Sequence, residues 1–180
     1  MRRFTYKGKY NPKHPQKYVG NVKNIVYRSM WERRFMKYCD DNPEVLVWSS
    51  EELVIPYLSP IDRKMHRYYP DFLIKVKRND STQTVVVEVK PKRETKPPKK
   101  KQKITPRYLS EMKTWSVNEA KWKAANEFCK DRRWEFKIMT EESTQVTSEA
   151  GKRPVFLTVI CILSFIAAGF AIIGYIGVIT

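Results

Sequence analysis

Hydrophobic and polar positions alternate in two neighbouring runs near the middle of the chain. The runs occupy residues 68–74 and 84–90, and a polar break at 78–81 separates them. Both runs are rich in valine, isoleucine, phenylalanine and tyrosine, which favour strands. Two such runs joined by a short turn-prone segment are typical of a hairpin. The pattern therefore predicts two adjacent antiparallel strands.

Other patterns flank this hairpin. Apolar residues recur at helical spacing between Ser29 and Pro43, which predicts a helix that ends before the proline. In chain order the other predicted elements are strands at 45–48 and 53–57, a turn at 59–62, a strand beginning at 66 that continues into the hairpin, helices at 108–115 and 117–132, and a strand at 133–139. This order predicts an α/β fold with a mixed central sheet.

The end of the chain has a different character. A polar linker at 143–153 leads into residues 154–180, which contain no charged residue. An apolar run longer than about 18 residues predicts a transmembrane helix, so a membrane is an expected partner through 154–180. Lys152 and Arg153 would then keep the preceding domain on the cytoplasmic side. A buried hairpin and a reading-frame accident are the alternatives.

Charge narrows the classes of partner. The chain of 180 residues has 35 Lys+Arg against 19 Asp+Glu, a net charge of +16. This excess of positive charge favours a polyanionic partner, and it favours nucleic acid over an anionic membrane. Three widely spaced cysteines and two histidines argue against a zinc site or a disulfide framework, and they indicate a reducing compartment. The chain begins with Met1, Arg2 and Arg3 followed by polar sequence, so no cleavable signal is expected.

The first 27 residues are predicted to form a basic arm. Lysines alternate with tyrosines along it, and two prolines, Pro12 and Pro15, oppose a helix. Lysines interleaved with aromatic rings suit phosphate contact and base stacking in a nucleic-acid complex. A solvated, loosely ordered terminus is an equally favoured interpretation.

A second basic segment, at 91–107, follows the hairpin directly. Its prolines block both helix and sheet and its lysines repel one another, so an exposed, extended loop is predicted. Such a loop would hold a phosphate backbone without reading bases, because the attraction between lysine and phosphate does not depend on sequence. The residues expected to make these contacts are Lys92, Arg93, Lys96, Lys99, Lys100, Lys101 and Lys103.

The hairpin carries the candidate chemistry. Side chains alternate between the two faces of a strand, so Glu88 and Lys90 share one face of an otherwise apolar run. Asp71 lies near the start of the neighbouring strand, and strand pairing would bring its carboxylate beside Glu88. Two carboxylates that close repel unless a cation lies between them, and hard oxygen ligands suit Mg²⁺. The pattern predicts a metal site with an ammonium group next to it.

Glu32 has two interpretations. It lies at the border of the apolar stripe of the first helix, where a carboxylate needs a metal or a basic partner. It is also the last residue of the segment 29–32, whose Ser-x-x-Glu pattern is a helix capping box. The residues alone favour the cap. His66, five residues before Asp71, falls on the opposite strand face, and we interpret it as an ordinary surface histidine.

The motif residues resemble a known superfamily. Four of them match the signature of the PD-(D/E)XK nucleases, namely Pro70, Asp71, Glu88 and Lys90. The blocks 27–35, 66–72 and 88–92 together resemble the TnsA-type branch of that superfamily. The ordered set, from the N-terminus to residue 142, is also similar to the head completion proteins of T-even-like bacteriophages.

This resemblance implies a restriction-endonuclease-like, three-layer fold at 28–142 and a Mg²⁺-dependent DNA endonuclease, with Mn²⁺ as an alternative ion. By resemblance the metal ligands are Asp71, Glu88, the Val89 carbonyl and Glu32, and Lys90 joins the carboxylates as a catalytic residue. Matching nucleases use a helix glutamate in this way, which favours the metal role for Glu32. Lys121 is a weaker candidate on the later helix.

The resemblance also implies partners and location. It implies double-stranded DNA and phage capsid or portal-neck proteins as partners, and the host cytoplasm and the virion as locations. The head completion proteins have no hydrophobic tail, so a membrane-anchored nuclease unrelated to virion assembly is one alternative. A structural DNA-binding head protein with a vestigial site is the other. The oligomeric state stays open.

Overall fold

The computed structural model describes residues 6–78, 81–100 and 102–140. Its strands and helices are β1 (Gly8–Lys9), β2 (Val26–Tyr27), α1 (Met30–Asp41), β3 (Val45–Ser50), β4 (Ile55–Leu58), β5 (Met65–Tyr68), β6 (Phe72–Arg78), β7 (Ser81–Val89), α2 (Pro106–Asp131) and β8 (Glu135–Met139). The predicted linker and hydrophobic tail lie outside the described residues. Within the described ranges, none of the helices has the length and apolar character needed to cross a bilayer.

The centre of the fold is a four-stranded sheet in the order β3, β6, β7, β8. β6 pairs antiparallel with both β3 and β7, whereas β8 joins β7 in parallel. The β6–β7 ladder runs from Phe72 opposite Val87 to Arg78 opposite Ser81, which confirms the predicted hairpin. A parallel pair requires a long crossover connection, which α2 supplies between β7 and β8. The predicted mixed central sheet is therefore confirmed.

The single strand predicted from residue 66 onward is wrong, because the chain changes sheets there. β5 pairs with β4 in a separate two-stranded sheet, with Tyr68 opposite Ile55, and β6 begins only at Phe72. Pro70 lies in the break, where its missing N–H cannot serve a strand ladder. The chain leaves one sheet before this proline and enters the next after it. Asp71 is consequently placed at the junction, at the start of β6.

Helix α1 buries one face against the central sheet. Ser29 caps its N-terminus, and Phe35, Met36 and Cys39 are fully covered. The ring of Phe35 lies 4.7 Å from the ring of Phe72 at the start of β6. This helix is where the apolar spacing predicts it, and it packs beside the end of the hairpin that carries Asp71.

Helix α2 is continuous, so the prediction of two helices at 108–115 and 117–132 is wrong. No proline or glycine interrupts the helix near Ser116, whose hydroxyl donates to the Lys113 carbonyl within the same turn, at 2.9 Å. A row of small and aromatic residues, including Ala120 and Phe128, packs on the cluster formed by Ile55, Tyr57, Tyr68 and Ala125. α2 therefore covers the small β4–β5 sheet as well as connecting β7 to β8.

The predicted basic arm is packed onto the domain rather than separate from it. Asp40, near the end of α1, is fully buried. Its carboxylate accepts hydrogen bonds from the backbone N–H groups of Lys13 at 2.6 Å and His14 at 2.9 Å. The Tyr10 hydroxyl adds a third bond at 3.2 Å. The interpretation as a loosely ordered terminus is therefore wrong for this stretch, because a buried side chain holds its backbone. Contact between the arm and nucleic acid stays a prediction.

Two further contacts fasten the same segment. The Lys17 ammonium donates to the carbonyls of Asp40 at 2.9 Å and Asn42 at 2.6 Å, at the C-terminal end of α1. Cations are favoured at a helix C-terminus, where carbonyl groups lack helical partners. The ring of Tyr18 lies 4.7 Å from the ring of Trp48 in β3. At least one lysine of the arm thus has a structural role.

Candidate active site

The predicted site residues meet at one end of the β6–β7 hairpin. The Val89 N–H donates to Asp71 Oδ2 at 2.7 Å, and Lys90 Nζ lies 3.1 Å from Glu88 Oε1. The ion pair shows that Glu88 and Lys90 share a strand face, as the alternation predicts. Asp71 is one residue before the first pair of the ladder, Phe72 opposite Val87, and so lies beside Glu88. The structure brings these three charged groups together.

Glu88 is held at both of its oxygens. Its side chain is buried, and while Oε1 pairs with Lys90, Oε2 accepts a hydrogen bond from the Tyr68 hydroxyl at 2.6 Å. Tyr68 ends β5, which belongs to the other sheet. Sequence reasoning missed this partner, because a strand running through residue 68 would have kept Tyr68 in the sheet of Glu88. The carboxylate orientation is set by residues from two sheets.

Crowding of negative charge changes the acidity of Asp71. Burial, followed by the charge of Glu88, raises the pKa of the Asp71 carboxyl from 3.8 to about 7. The Val89 N–H and the Lys90 ammonium oppose this shift without cancelling it, and the charge of Glu32 adds to it. A carboxyl with this balance gains much from a nearby cation. The site therefore has the electrostatic character of a cation-binding pair.

Lys90 is protonated at neutral pH. Burial alone would lower the pKa of its ammonium, but the charges of Glu88 and Asp71 outweigh burial and raise that pKa above its ordinary value. Without a bound cation, Lys90 therefore keeps its positive charge. Its geometry favours a fixed positive charge beside the two carboxylates.

Glu32 forms a variant of the capping box that its sequence pattern indicates, in which its carboxylate bonds the Arg28 N–H, one residue before the N-cap Ser29. The Ser29 hydroxyl donates to Glu32 Oε1 at 2.8 Å, and the Arg28 N–H donates to Oε2 at 2.7 Å. The Glu32 N–H in turn donates to Ser29 Oγ at 3.1 Å. This cap does not isolate Glu32, because its charge is among the causes that raise the pKa of Asp71. Glu32 lies at the margin of the site.

The carboxylates of Asp71 and Glu88 suit a hard cation that needs only a few ligands from the protein. Among residues 6–78, 81–100 and 102–140, no group of three His, Cys, Asp or Glu side chains is arranged to hold a metal ion. Mg²⁺ commonly uses only one or two carboxylates and completes its shell with water and substrate phosphates. Asp71 and Glu88 supply two carboxylates, and the raised pKa of Asp71 is the cost that a cation would relieve. The pair therefore fits Mg²⁺ without a third carboxylate.

His66 and Lys121 are the other two residues considered for the site. His66 is exposed, and its Nε2 lies 2.8 Å from Asp62 Oδ2 at the surface, in agreement with the prediction of an ordinary surface histidine. The Lys121 ammonium lies 5.7 Å from the ring centres of both Tyr57 and Tyr68. Lys121 and Glu88 are thus both neighbours of Tyr68, Lys121 at its ring and Glu88 at its hydroxyl.

The basic segment after β7 begins with structure that its prolines did not predict. Lys92–Glu94 forms a 3-10 turn, in which the Thr95 hydroxyl donates to the Lys92 carbonyl at 2.8 Å. Lys101 lies outside the described residues. The remaining cations predicted to contact nucleic acid are all exposed, namely Lys92, Arg93, Lys96, Lys99, Lys100 and Lys103. The segment presents positive charge directly beyond Lys90.

Residues 42–141 match the TnsA-like endonuclease N-terminal family, over more than half of the chain. This chain belongs to that TnsA-like endonuclease family. It is also 41% identical over 151 residues to the head completion nuclease of Enterobacteria phage T4, a match that covers 82% of this chain and 99% of that relative. The TnsA-like match includes Asp71, Glu88 and Lys90, whereas Glu32 precedes it. The resemblance drawn from separate sequence blocks is thereby confirmed.

The charge crowding predicts how stability depends on pH. The Asp71 carboxyl has a pKa of about 7 in the folded protein and the ordinary 3.8 when unfolded, so the folded state binds more protons between about pH 4 and 7. Stability of the metal-free protein should therefore fall as pH rises through this window. Asp71→Asn removes the charge and keeps an acceptor for the Val89 N–H. In EDTA, we expect this variant to have a higher melting temperature than the wild type at pH 8 and the same melting temperature near pH 4. Each 1 kcal/mol gained in the free energy of unfolding should raise the melting temperature by about 2–4 °C.

Asp62→Asn is the matched control for this melting experiment. The hydrogen bond from His66 lowers the pKa of the Asp62 carboxyl to about 2, opposite to the direction at Asp71, so its removal should give no gain at pH 8. An Asp71→Asn gain of equal size at pH 4 and pH 8 would contradict the charge argument.

Proposed function

We propose that this chain is a metal-dependent DNA endonuclease that acts in the completion of phage heads. The observation that carries the proposal is the pairing of Asp71 and Glu88 at one end of the hairpin, with the Lys90 ammonium 3.1 Å from Glu88. Membership of the TnsA-like endonuclease family supports the reaction. The name of the T4 relative, a head completion nuclease, supports the biological setting.

Each charged group has a role in this proposal. Asp71 and Glu88 would hold Mg²⁺, or Mn²⁺ in its place, with the Val89 carbonyl as a further oxygen donor. Glu32, whose two oxygens are engaged in the helix cap, would add negative charge at the margin of the site without being a required ligand. Bound there, the ion would offset charge on the scissile phosphate and make a water molecule more acidic. Lys90 would attract the phosphate and stabilise negative charge that develops as the phosphodiester is attacked, since its raised pKa keeps it protonated.

The exposed cations beyond Lys90 would hold the DNA. They follow β7 directly, so a backbone bound to them passes the carboxylate pair. Lysine and arginine neutralise phosphates irrespective of base sequence, and the net charge of +16 adds a general attraction for duplex DNA. We therefore assign double-stranded DNA as substrate, with no sequence preference from this segment.

Replacing Lys99 and Lys100 with Ser should weaken binding to all duplex sequences equally. Each lost phosphate contact should also flatten the slope of log affinity against log salt by about one unit. The matched control is Lys75→Ser with Lys77→Ser, which removes the same charge from exposed positions on β6, four and six residues beyond Asp71. Fluorescence anisotropy over a salt series measures both quantities. A loss confined to some sequences, or an equal loss in the control, would contradict the assignment.

In the infected cell the enzyme would process DNA and ready filled heads for tail joining. This role would place it in the host cytoplasm and in the virion, with capsid or portal-neck proteins as partners. The support is the 41% identity to a head completion nuclease over 99% of that relative.

A plasmid nicking assay with the full chain tests the proposal. Supercoiled plasmid should be converted to nicked and linear forms in Mg²⁺ or Mn²⁺, and EDTA should stop the conversion. Retention of the plasmid on the protein without any nicking, in either metal, would contradict the enzymatic proposal and favour a structural DNA-binding head protein.

A further inference from the structure

We propose that Tyr68 is a positioning residue, which holds the Glu88 carboxylate in the orientation that metal binding requires. The inference rests on the proposed function and adds a residue from outside the hairpin to its site. The Tyr68 hydroxyl donates to Glu88 Oε2 at 2.6 Å, and the two residues are buried, with relative exposures of 4% and 5%. A short hydrogen bond to a carboxylate in such surroundings is stronger than a neutral one.

The bond completes a two-sided hold on Glu88. Lys90 engages Oε1 from the same strand, and Tyr68 engages Oε2 from β5. A carboxylate oxygen has two acceptor positions, so each oxygen keeps one for a cation after these bonds form. Asp71 is held separately by the Val89 N–H. Both proposed metal-binding carboxylates are therefore preorganised by groups that would not themselves touch the metal.

Tyr68 is itself fixed by its surroundings. Its ring belongs to the cluster of Ile55, Tyr57 and Ala125, against which α2 packs. The Lys121 ammonium lies 5.7 Å from its ring centre, a favourable distance between a cation and an aromatic face. A hydroxyl on a ring held this way cannot follow a moving carboxylate, so it imposes one orientation on Glu88. Groups with this outer position commonly change metal affinity when they are removed.

If the role of Tyr68 were purely structural, the loss of its hydroxyl would have a different effect on metal affinity. If the bond only satisfied the buried Glu88, losing the hydroxyl would lower the melting temperature and leave metal affinity alone. A positioning role requires affinity for the metal to fall, with cleavage recovering at saturating metal. Metal affinity measured without DNA therefore separates the two roles.

The test compares Tyr68→Phe with Tyr57→Phe in the full chain. Tyr57 is the matched control because it belongs to the same cluster, is similarly buried at 7% exposure and also lies 5.7 Å from the Lys121 ammonium. Binding of Mn²⁺ is measured by electron paramagnetic resonance in the absence of DNA. We expect Tyr68→Phe to raise the Mn²⁺ dissociation constant roughly 10- to 100-fold, as for loss of an outer-shell partner, and Tyr57→Phe to stay near wild type.

The nicking assay is the second measurement, and it gives the Mg²⁺ concentration that cleavage requires. Tyr68→Phe should need correspondingly more Mg²⁺ for half-maximal nicking and should approach the wild-type rate at saturation. If wild type binds Mn²⁺ and nicks DNA while both variants keep its affinity, the positioning role of Tyr68 is overturned and the nuclease proposal stands. If wild type neither binds Mn²⁺ nor nicks DNA, the proposed function fails and this inference with it.

A measurement on folded protein covers the case in which Tyr68→Phe does not fold. Titration with Mg²⁺ should perturb the ultraviolet absorbance of a tyrosine whose hydroxyl is bonded to a metal ligand. The same perturbation should persist in Tyr57→Phe. Saturation with metal that leaves the tyrosine spectrum of wild type and Tyr57→Phe unchanged would overturn the inference.

Discussion

Asp71→Asn is expected to abolish Mg²⁺-dependent cleavage. The nicking rate should fall by roughly 100- to 1,000-fold or more, because the loss of one group that stabilises transition-state charge typically has an effect of this size. The substitution removes the charge that would hold the ion beside Glu88. It keeps the shape of the side chain and an acceptor for the Val89 N–H, which lies 2.7 Å from the carboxylate. The fold should therefore survive. Initial rates on supercoiled plasmid, with circular dichroism of the same sample, measure both expectations.

Asp62→Asn is the matched control for activity, since it makes the same chemical change at an exposed aspartate paired with His66. It should nick at the wild-type rate. Wild-type cleavage by Asp71→Asn in Mg²⁺ would remove Asp71 from the proposed site. Glu88→Ala is less suited to this test, because it leaves the Lys90 ammonium and the buried Tyr68 hydroxyl without their acceptor and should cost stability as well.

Asp40→Ala is expected to destabilise the protein by roughly 2–4 kcal/mol, because it removes a buried carboxylate that accepts three hydrogen bonds. The side chain is fully buried and accepts hydrogen bonds from the N–H groups of Lys13 and His14 and from the Tyr10 hydroxyl. Its removal should release the N-terminal segment from α1. Thermal or urea unfolding measures the change, and a loss of 2–4 kcal/mol corresponds to roughly 5–15 °C in Tm.

Asp41→Ala is the neighbouring control. Asp41 is exposed and pairs with Lys13 and Lys37 at the surface, where ion pairs contribute about 0–1 kcal/mol. We expect its unfolding curve to lie close to that of the wild type. Equal losses in the two variants would show that the N-terminal segment is held by surface charge rather than by the buried carboxylate.

Much of the candidate site could be predicted from local sequence. Alternation within 84–90 places Glu88 and Lys90 on one face, and the short break before it makes the hairpin partner predictable. The ladder then brings Asp71 to Glu88 without any long-range decision. The capping box at Glu32 is equally local, because its bonds join residues at most four positions apart.

Errors arose where long-range packing decided the outcome. Residues 106–131 form one helix, which packs along its length on the β4–β5 sheet and β8, so the two predicted helices are joined. The N-terminal segment looks polar and basic, yet Asp40, some 26 to 30 positions away, binds its backbone and Tyr10. A composition rule cannot anticipate a single buried carboxylate.

The sequence by itself determined the hairpin, the helix before it and the meeting of Asp71, Glu88 and Lys90, because short-range alternation and strand pairing are enough to produce them. The mixed sheet was predictable from the order of helices and strands along the chain. Only the tertiary structure decided that the chain changes sheets around Pro70, that the Tyr68 hydroxyl donates a hydrogen bond to Glu88, and that Lys121 lies over the Tyr68 ring. These contacts join elements far apart in the chain. Their formation depends on which faces the two sheets and α2 bury together, and this is a property of the whole packed core.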